Sequence, residues 1–146
     1  MIVFIASDHG GFKLKEELIE YLTKKGHNIR DLGPFVLNKE DDYPDFAIPL
    51  AEAVVKSKSK GIVICRNGQG ICIAVNKVKG ARGVTGFSIK EAKTTRLDDD
   101  ANILSLPADY LDKGMAKKIA NVWLNTKFSH KKRHKRRLNK VRLYEK

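Results

Sequence analysis

Residues 61–70 read GIVICRNGQG, an unbroken apolar run that passes into a polar, glycine-rich turn. Gly61–Cys65 shows no alternation of apolar and polar residues, the pattern of a strand buried on both faces within a parallel sheet. Gly68–Val78 then reads as a helix. The unit is strand, turn, helix, and the flanking sequence repeats it. Ile2–Ala6 is a short apolar strand, and helical periodicity follows over Phe12–Lys25 through Leu14, Leu18, Ile19 and Leu22, with Gly26 as its stop. Asn28–Leu32 is a weak strand broken at Gly33 and Pro34. Tyr43–Lys56 reads as a helix whose prolines, Pro44 and Pro49, confine its regular part to the C-terminal half. Ala81–Phe87 is a fourth strand. Ser88 and Glu91 make a capping box for Ile89–Leu97, Asn102–Leu106 is the fifth strand, and Asp112 caps Lys113–Asn125. Five strands separated by helices predict an α/β sandwich on a parallel sheet, because each crossover returns the chain in the same direction.

The chain has 146 residues, of which 42% are hydrophobic, enough for a real core and too many for a disordered chain of low hydrophobicity. One domain over residues 1–146 is the expectation. No apolar run approaches the ~18–20 residues of a membrane helix, and the start lacks the basic and apolar regions of a signal peptide. Two cysteines, Cys65 and Cys72, make no disulfide framework, which points to the reducing cytoplasm.

Net charge is +12, and +8 of it lies in Ser129–Lys146, leaving +4 for residues 1–128. The terminal segment, SHKKRHKRRLNKVRLYEK, reads as a basic helix docked through a narrow apolar stripe that includes Leu138 and Val141. A solvated tail is the alternative. Arg133 and Arg137 stand i,i+4 on one face of that helix, where two guanidinium forks can grip a phosphate. A general basic surface that binds nucleic acid is the competing use of the same charge.

In parallel sheets, ligands bind beyond the carboxyl ends of the strands. Those positions hold Ser7-Asp8-His9-Gly10-Gly11 and Cys65-Arg66-Asn67-Gly68-Gln69-Gly70, with the acidic loop Asp41-Asp42-Tyr43-Pro44 before the second helix. Gly68 and Gly70 let the backbone approach a ligand, and the following helix aims N–H groups at an anion. Ile73 in the third glycine position excludes a dinucleotide fingerprint, and the absence of GK[ST] excludes a P-loop. A helix N-terminus and the adjacent Arg66 would lower the pKa of Cys65 and make it a base or nucleophile; a small buried strand residue is the alternative. Cys72 reads as core. The histidines show no metal-binding spacing, and Asp98–Asp100 reads as a solvated acidic loop more readily than as a cation site.

Taken together, IASDHGGFKLKEEL (5–18), DDYPDFA (41–47), GIVICRNGQGICIAVNKVKGARG (61–83), DDDANILSLPADY (98–110) and RHKRR (133–137) resemble the type-B ribose-5-phosphate isomerase family. That family also includes galactose-6-phosphate isomerase subunits and an allose-6-phosphate isomerase. The resemblance spans nearly the whole chain. It implies a Rossmann-like three-layer fold with a five-stranded parallel sheet. It also implies a homodimer or larger assembly with sites between subunits, and aldose–ketose isomerisation of a sugar phosphate without metal or organic cofactor.

By resemblance, Cys65 moves a proton between C2 and C1, and the backbone of Asn67, Gly68, Gln69 and Gly70 forms the anion hole for a cis-enediolate. Asp8, His9 and Tyr43 line the sugar-phosphate pocket, and Arg133 and Arg137 bind phosphate. Two positions depart from the family pattern. Asp98 stands where a ring-opening histidine is usual and is the candidate that relays the ring-opening proton as a carboxylate, with Asp99 beside it as a substrate contact, and Asp109 stands where an arginine often contacts phosphate. Arg66, at a position that tends to be glycine, is a candidate replacement for that cation. The expected reaction is conversion of ribose 5-phosphate to ribulose 5-phosphate. A hexose 6-phosphate substrate and a sugar-phosphate-binding homologue without turnover are the alternatives.

Overall fold

The computed structural model describes residues 1–145. The strands are β1 (Ile2–Ser7), β2 (Asn28–Asp31), β3 (Lys60–Cys65), β4 (Gly83–Thr85) and β5 (Ile103–Pro107). The helices are α1 (Phe12–Lys24), α2 (Pro44–Ser57), α3 (Gln69–Val75), α4 (Ile89–Asp99), α5 (Lys113–Asn125) and α6 (Lys132–Tyr144). Every strand pairing is parallel, and the sheet order is β2-β1-β3-β5-β4.

Alternate residues of the central strands feed two cores. Val3, Ile5, Ile62, Ile64, Leu104 and Leu106 pack beneath α1, α4 and α5. Phe4, Ala6, Val63 and Cys65 face the other way, into α2 and α3. The result is the Rossmann-like three-layer sandwich, and Cys65 lies on the α2/α3 side. From β1 the chain goes to β2 on one edge and then returns to β3 on the other. The order therefore reverses between β1 and β3, and a crevice opens at their carboxyl ends. Among the described residues, no helix is long and apolar enough to cross a membrane.

Several boundaries differ from those read in the sequence. Helix α2 is regular from Pro44 onward and carries Pro49 inside it. Proline at the first helical position costs nothing, and Pro49 removes a bond only to Asp45, which is exposed. Helix α3 stops at Val75 because the Asn76 side chain turns to β4, donating to the Gly83 carbonyl at 2.9 Å and accepting from the Gly83 N–H at 2.8 Å.

The basic terminal helix forms, and its apolar stripe is only partly covered: Leu138 is half-buried, whereas Val141 is 58% exposed and Leu143 and Tyr144 are more so. Its anchor is the buried His134, which meets Ser129 Oγ at 3.0 Å, accepts from Arg133 Nε at 3.0 Å and faces Asp98 at 3.5 Å. At the far end, Glu145 accepts from the Gly80 N–H.

One buried charge ties the front of the molecule together. Lys15 on α1 is wholly buried and pairs with Asp31 at the end of β2 at 2.5 Å, while Asp31 also accepts from the Gly33 N–H at 2.8 Å. The pair thereby orients the start of the long loop that leads to Asp41 and Tyr43. Removing one member of a buried pair strands its partner's charge. Lys15→Met is therefore expected to cost about 2 kcal/mol in urea unfolding, below the fully buried range because Asp31 keeps some water. Adding Asp31→Asn to that variant should recover part of the loss.

Candidate active site

Cys65 ends β3 at 4% exposure, and the chain must turn immediately to enter α3. Gly68 makes that turn with φ of +73°, a conformation that costs glycine little. Its carbonyl accepts from the buried Ser105 Oγ at 2.6 Å, so β5 pins the turn. The Gly68 N–H then reaches the Cys65 sulfur at 3.2 Å, and the Gln69 N–H donates to Asn67 Oδ1 at 3.0 Å. Gly70 is required for a different reason: a Cβ there would lie 2.8 Å from the Tyr43 ring, which packs on the backbone at this point. Tyr43 is held there as the N-cap residue of α2.

The electrostatics of Cys65 reverse the expectation from sequence. Burial is the largest influence and pushes the thiol above its ordinary pKa, against the lowering effect of the Ile71, Gly68 and Asn67 N–H groups. Arg66 does not contribute, because its side chain runs out to the surface and meets Asp109 at 3.6 Å. That contact also answers what Asp109 does: it is paired. Cys72 is only partly buried on α3, so it is not the core residue its apolar neighbours suggested.

Across the crevice, Asp8 is buried and accepts from the Gly11 N–H at 3.1 Å; burial pushes its carboxyl upward in pKa. His9 follows. Its Nδ1 lies 2.6 Å from Asp41 Oδ1, and its backbone N–H donates to the same oxygen at 2.9 Å. The hydrogen bond from Asp41 is the main cause that raises the His9 pKa and favours the imidazolium. His9, Lys13, Lys39 and Arg66 together line a cleft of about 540 Å³, closed by Gly10 and Leu37. A smaller hollow of about 250 Å³ lies between Asn67, Gln69, Phe87 and Tyr110. Four basic side chains around one cleft suit an anionic ligand.

The structure thus gathers Asp8, His9, Tyr43, Cys65, Arg66, Asn67, Gly68, Gln69 and Gly70 at one end of the sheet. Asp98, Asp99, Arg133 and Arg137 are elsewhere in the chain. Asp98 and Asp99 end α4, whose C-terminus leads into the start of β5, and Arg133 and Arg137 lie exposed on α6. Cys65 instead stands at a strand's carboxyl end. Asp100 is engaged by Arg82 and Arg96. No group of three or more His, Cys, Asp and Glu side chains able to hold a metal occurs among the described residues. Sequence reasoning missed the partnership of Asp41 with His9 and the cations Lys13 and Lys39. Asp41 was visible only as part of an acidic loop, with no local signal of a partner 32 residues away.

With this geometry in place, comparison with known proteins is decisive. Residues 3–141 match the Ribose/Galactose Isomerase family model. The chain belongs to that family. Its fold superposes on the crystal structure of ribose-5-phosphate isomerase B from Mycoplasma genitalium with bound ribulose 5-phosphate, at a TM-score of 0.95 and 41% identity. That match covers 99% of this chain and 95% of the other. The isomerase B structure from Clostridium thermocellum gives a TM-score of 0.95 at 40% identity, covering 99% and 97%. Ribose-5-phosphate isomerase B of Mycolicibacterium paratuberculosis is 36% identical over 99% of this chain and 92% of its own length.

The raised thiol pKa has a direct consequence. Cys65 is expected to stay largely protonated at neutral pH, and its reaction with iodoacetamide to accelerate with rising pH through a midpoint above that of free cysteine. A midpoint below free cysteine would mean that the helix amides outweigh burial.

Proposed function

We propose that this chain interconverts ribose 5-phosphate and ribulose 5-phosphate through a cis-enediolate, with Cys65 as the acid/base that carries a proton between C2 and C1. The observation that carries the reading is the Cys65 sulfur at the end of β3, ringed by backbone N–H groups beside a cation-lined cleft. The relatives named as ribose-5-phosphate isomerases B, one of them with ribulose 5-phosphate bound, support the choice of substrate.

A C–H beside a carbonyl is weakly acidic, so the site needs a strong base and stabilisation of the oxygen that becomes negative. A thiolate whose pKa is raised is the stronger base once formed, and the N–H groups of the turn reduce the cost of forming it. Asn67 holds the turn through its bond from Gln69 and stands within reach of the sulfur, with Oδ1 at 3.8 Å. Asp8 and Tyr43 bound the sugar. Lys13, Lys39 and Arg66 attract the phosphate, whose binding energy fixes the reacting end. Cys65 must remain a free thiol, which suits the reducing cytoplasm.

The working unit is a homodimer in which Arg133 and Arg137 of one copy grip the phosphate held at the other copy's Cys65, with Asp98 and Asp99 nearby. Their distance from Cys65 within one chain supports this arrangement. So do exposed apolar side chains: Phe35 at 74% and Val36 at 77%, in the segment leading to the cleft residue Leu37, and Tyr110 at 72% on the smaller hollow.

The test is a coupled assay with ribose 5-phosphate and, in parallel, with hexose 6-phosphates. Cys65→Ala and Arg137→Ala should each abolish turnover of the pentose. Mixing the two inactive proteins should restore about a quarter of full activity, because half the dimers then carry one intact shared site. Surviving turnover in Cys65→Ala would remove the thiol from its role. Absence of complementation would place each site within one chain.

A further inference from the structure

We propose that the His9–Asp41 pair is the acid/base that opens the furanose ring of the substrate, with His9 touching the ring oxygen and Asp41 as its positioning residue. The assignment rests on the isomerase reading above. Ribose 5-phosphate is a cyclic hemiacetal and has no carbonyl at C1 until the ring opens. The C2 proton becomes acidic only afterwards. The reaction therefore needs a second proton donor besides the thiol that works at C1 and C2.

Among the side chains that line the cleft, His9 is built for that task. Asp41 Oδ1 accepts from both the backbone N–H and Nδ1 of His9, at 2.9 and 2.6 Å, so loop and ring are set together. The Asp41 side chain is only 7% exposed, and its Oδ2 is buried without a partner among the described residues. Among the described residues no donor outside His9 reaches this carboxylate, so its charge acts on that residue. With Nδ1 engaged, Nε2 is the free nitrogen of the ring, and His9 lines the cleft with Gly10, Lys13, Lys39 and Arg66. The hydrogen bond to Asp41 and the charge of Asp8 favour the imidazolium, against burial and the charge of Arg66.

The proton balance closes. The C1–O bond to the ring oxygen breaks, and Nε2–H protonates that oxygen. The C1 hydroxyl becomes the carbonyl as its proton passes to water, and the imidazole takes a proton back from solvent. Asp41 keeps Nδ1–H in place throughout. Lys13, Lys39 and Arg66 are poorer donors, since lysine and arginine hold their protons too tightly to give them up at neutral pH.

Ring opening and C1–C2 proton transfer separate experimentally, because ribulose 5-phosphate is open-chain. Its C1 hydrogen exchange with deuterated solvent needs the thiol and not the ring-opening acid. In Asp41→Asn, conversion of ribose 5-phosphate is expected to fall about 100-fold while C1 exchange of ribulose 5-phosphate stays within about threefold of the unsubstituted protein. His9→Asn, at a half-buried position, should show the same split. Cys65→Ala should lose both activities. If conversion and exchange fall in parallel in both variants, with KM raised for each sugar, His9 is a binding cation and the proposal is overturned. An unsubstituted protein that neither converts nor exchanges would overturn the isomerase reading and this assignment with it.

Discussion

Strand β3 has β1 on one edge and β5 on the other, and a helical layer covers each of its faces. Its backbone is therefore satisfied along its length, and the chain leaves the sheet at one place, Cys65. Everything at the candidate site follows from how that exit is made. The turn must bend sharply enough to start α3, so Gly68 takes a left-handed conformation and β5 anchors its carbonyl through Ser105. The N–H groups freed by the bend have nowhere to go but toward the sulfur and Asn67. A buried strand end thus becomes a thiol surrounded by donors.

The balance at that thiol is between two effects of similar origin. Placing Cys65 at the end of a central strand removes it from water, which disfavours the thiolate. The same placement supplies backbone dipoles that favour it. Burial wins, and the thiol form is favoured. Across the crevice the opposite balance holds. His9 is open to the cleft and leans on a buried carboxylate, so its charged form is favoured. One side of the crevice therefore favours a neutral thiol and the other an imidazolium, the first through burial and the second through the hydrogen bond to Asp41.

Much of the architecture was legible as pattern. The apolar runs of β1, β3 and β5 are long because those strands are covered on both faces, and the capping box at Ser88 and Glu91 is present as read. Edge elements were less legible. β4 contains only Gly83–Thr85, because its length depends on the Asn76 side chain and not on any apolar period. The terminal helix kept its place but not its mode of attachment. A buried histidine near its start and Glu145 at its end hold it, and a basic helix on its own does not show which side chain will be covered.

The amino-acid sequence alone determined the α/β alternation, the glycine turn after Cys65 and the candidate residues at the strand ends, since all of these are local or periodic and need only neighbouring positions. Tertiary structure decided which residues share an environment: that Arg66 answers Asp109, that Asp41 holds His9, and that Asp98, Arg133 and Arg137 stand away from their own Cys65. It also decided the sign of the Cys65 shift. Burial and long-range contacts arise only when distant segments pack, and desolvation of the thiol outweighs the helix amides that the local sequence announces.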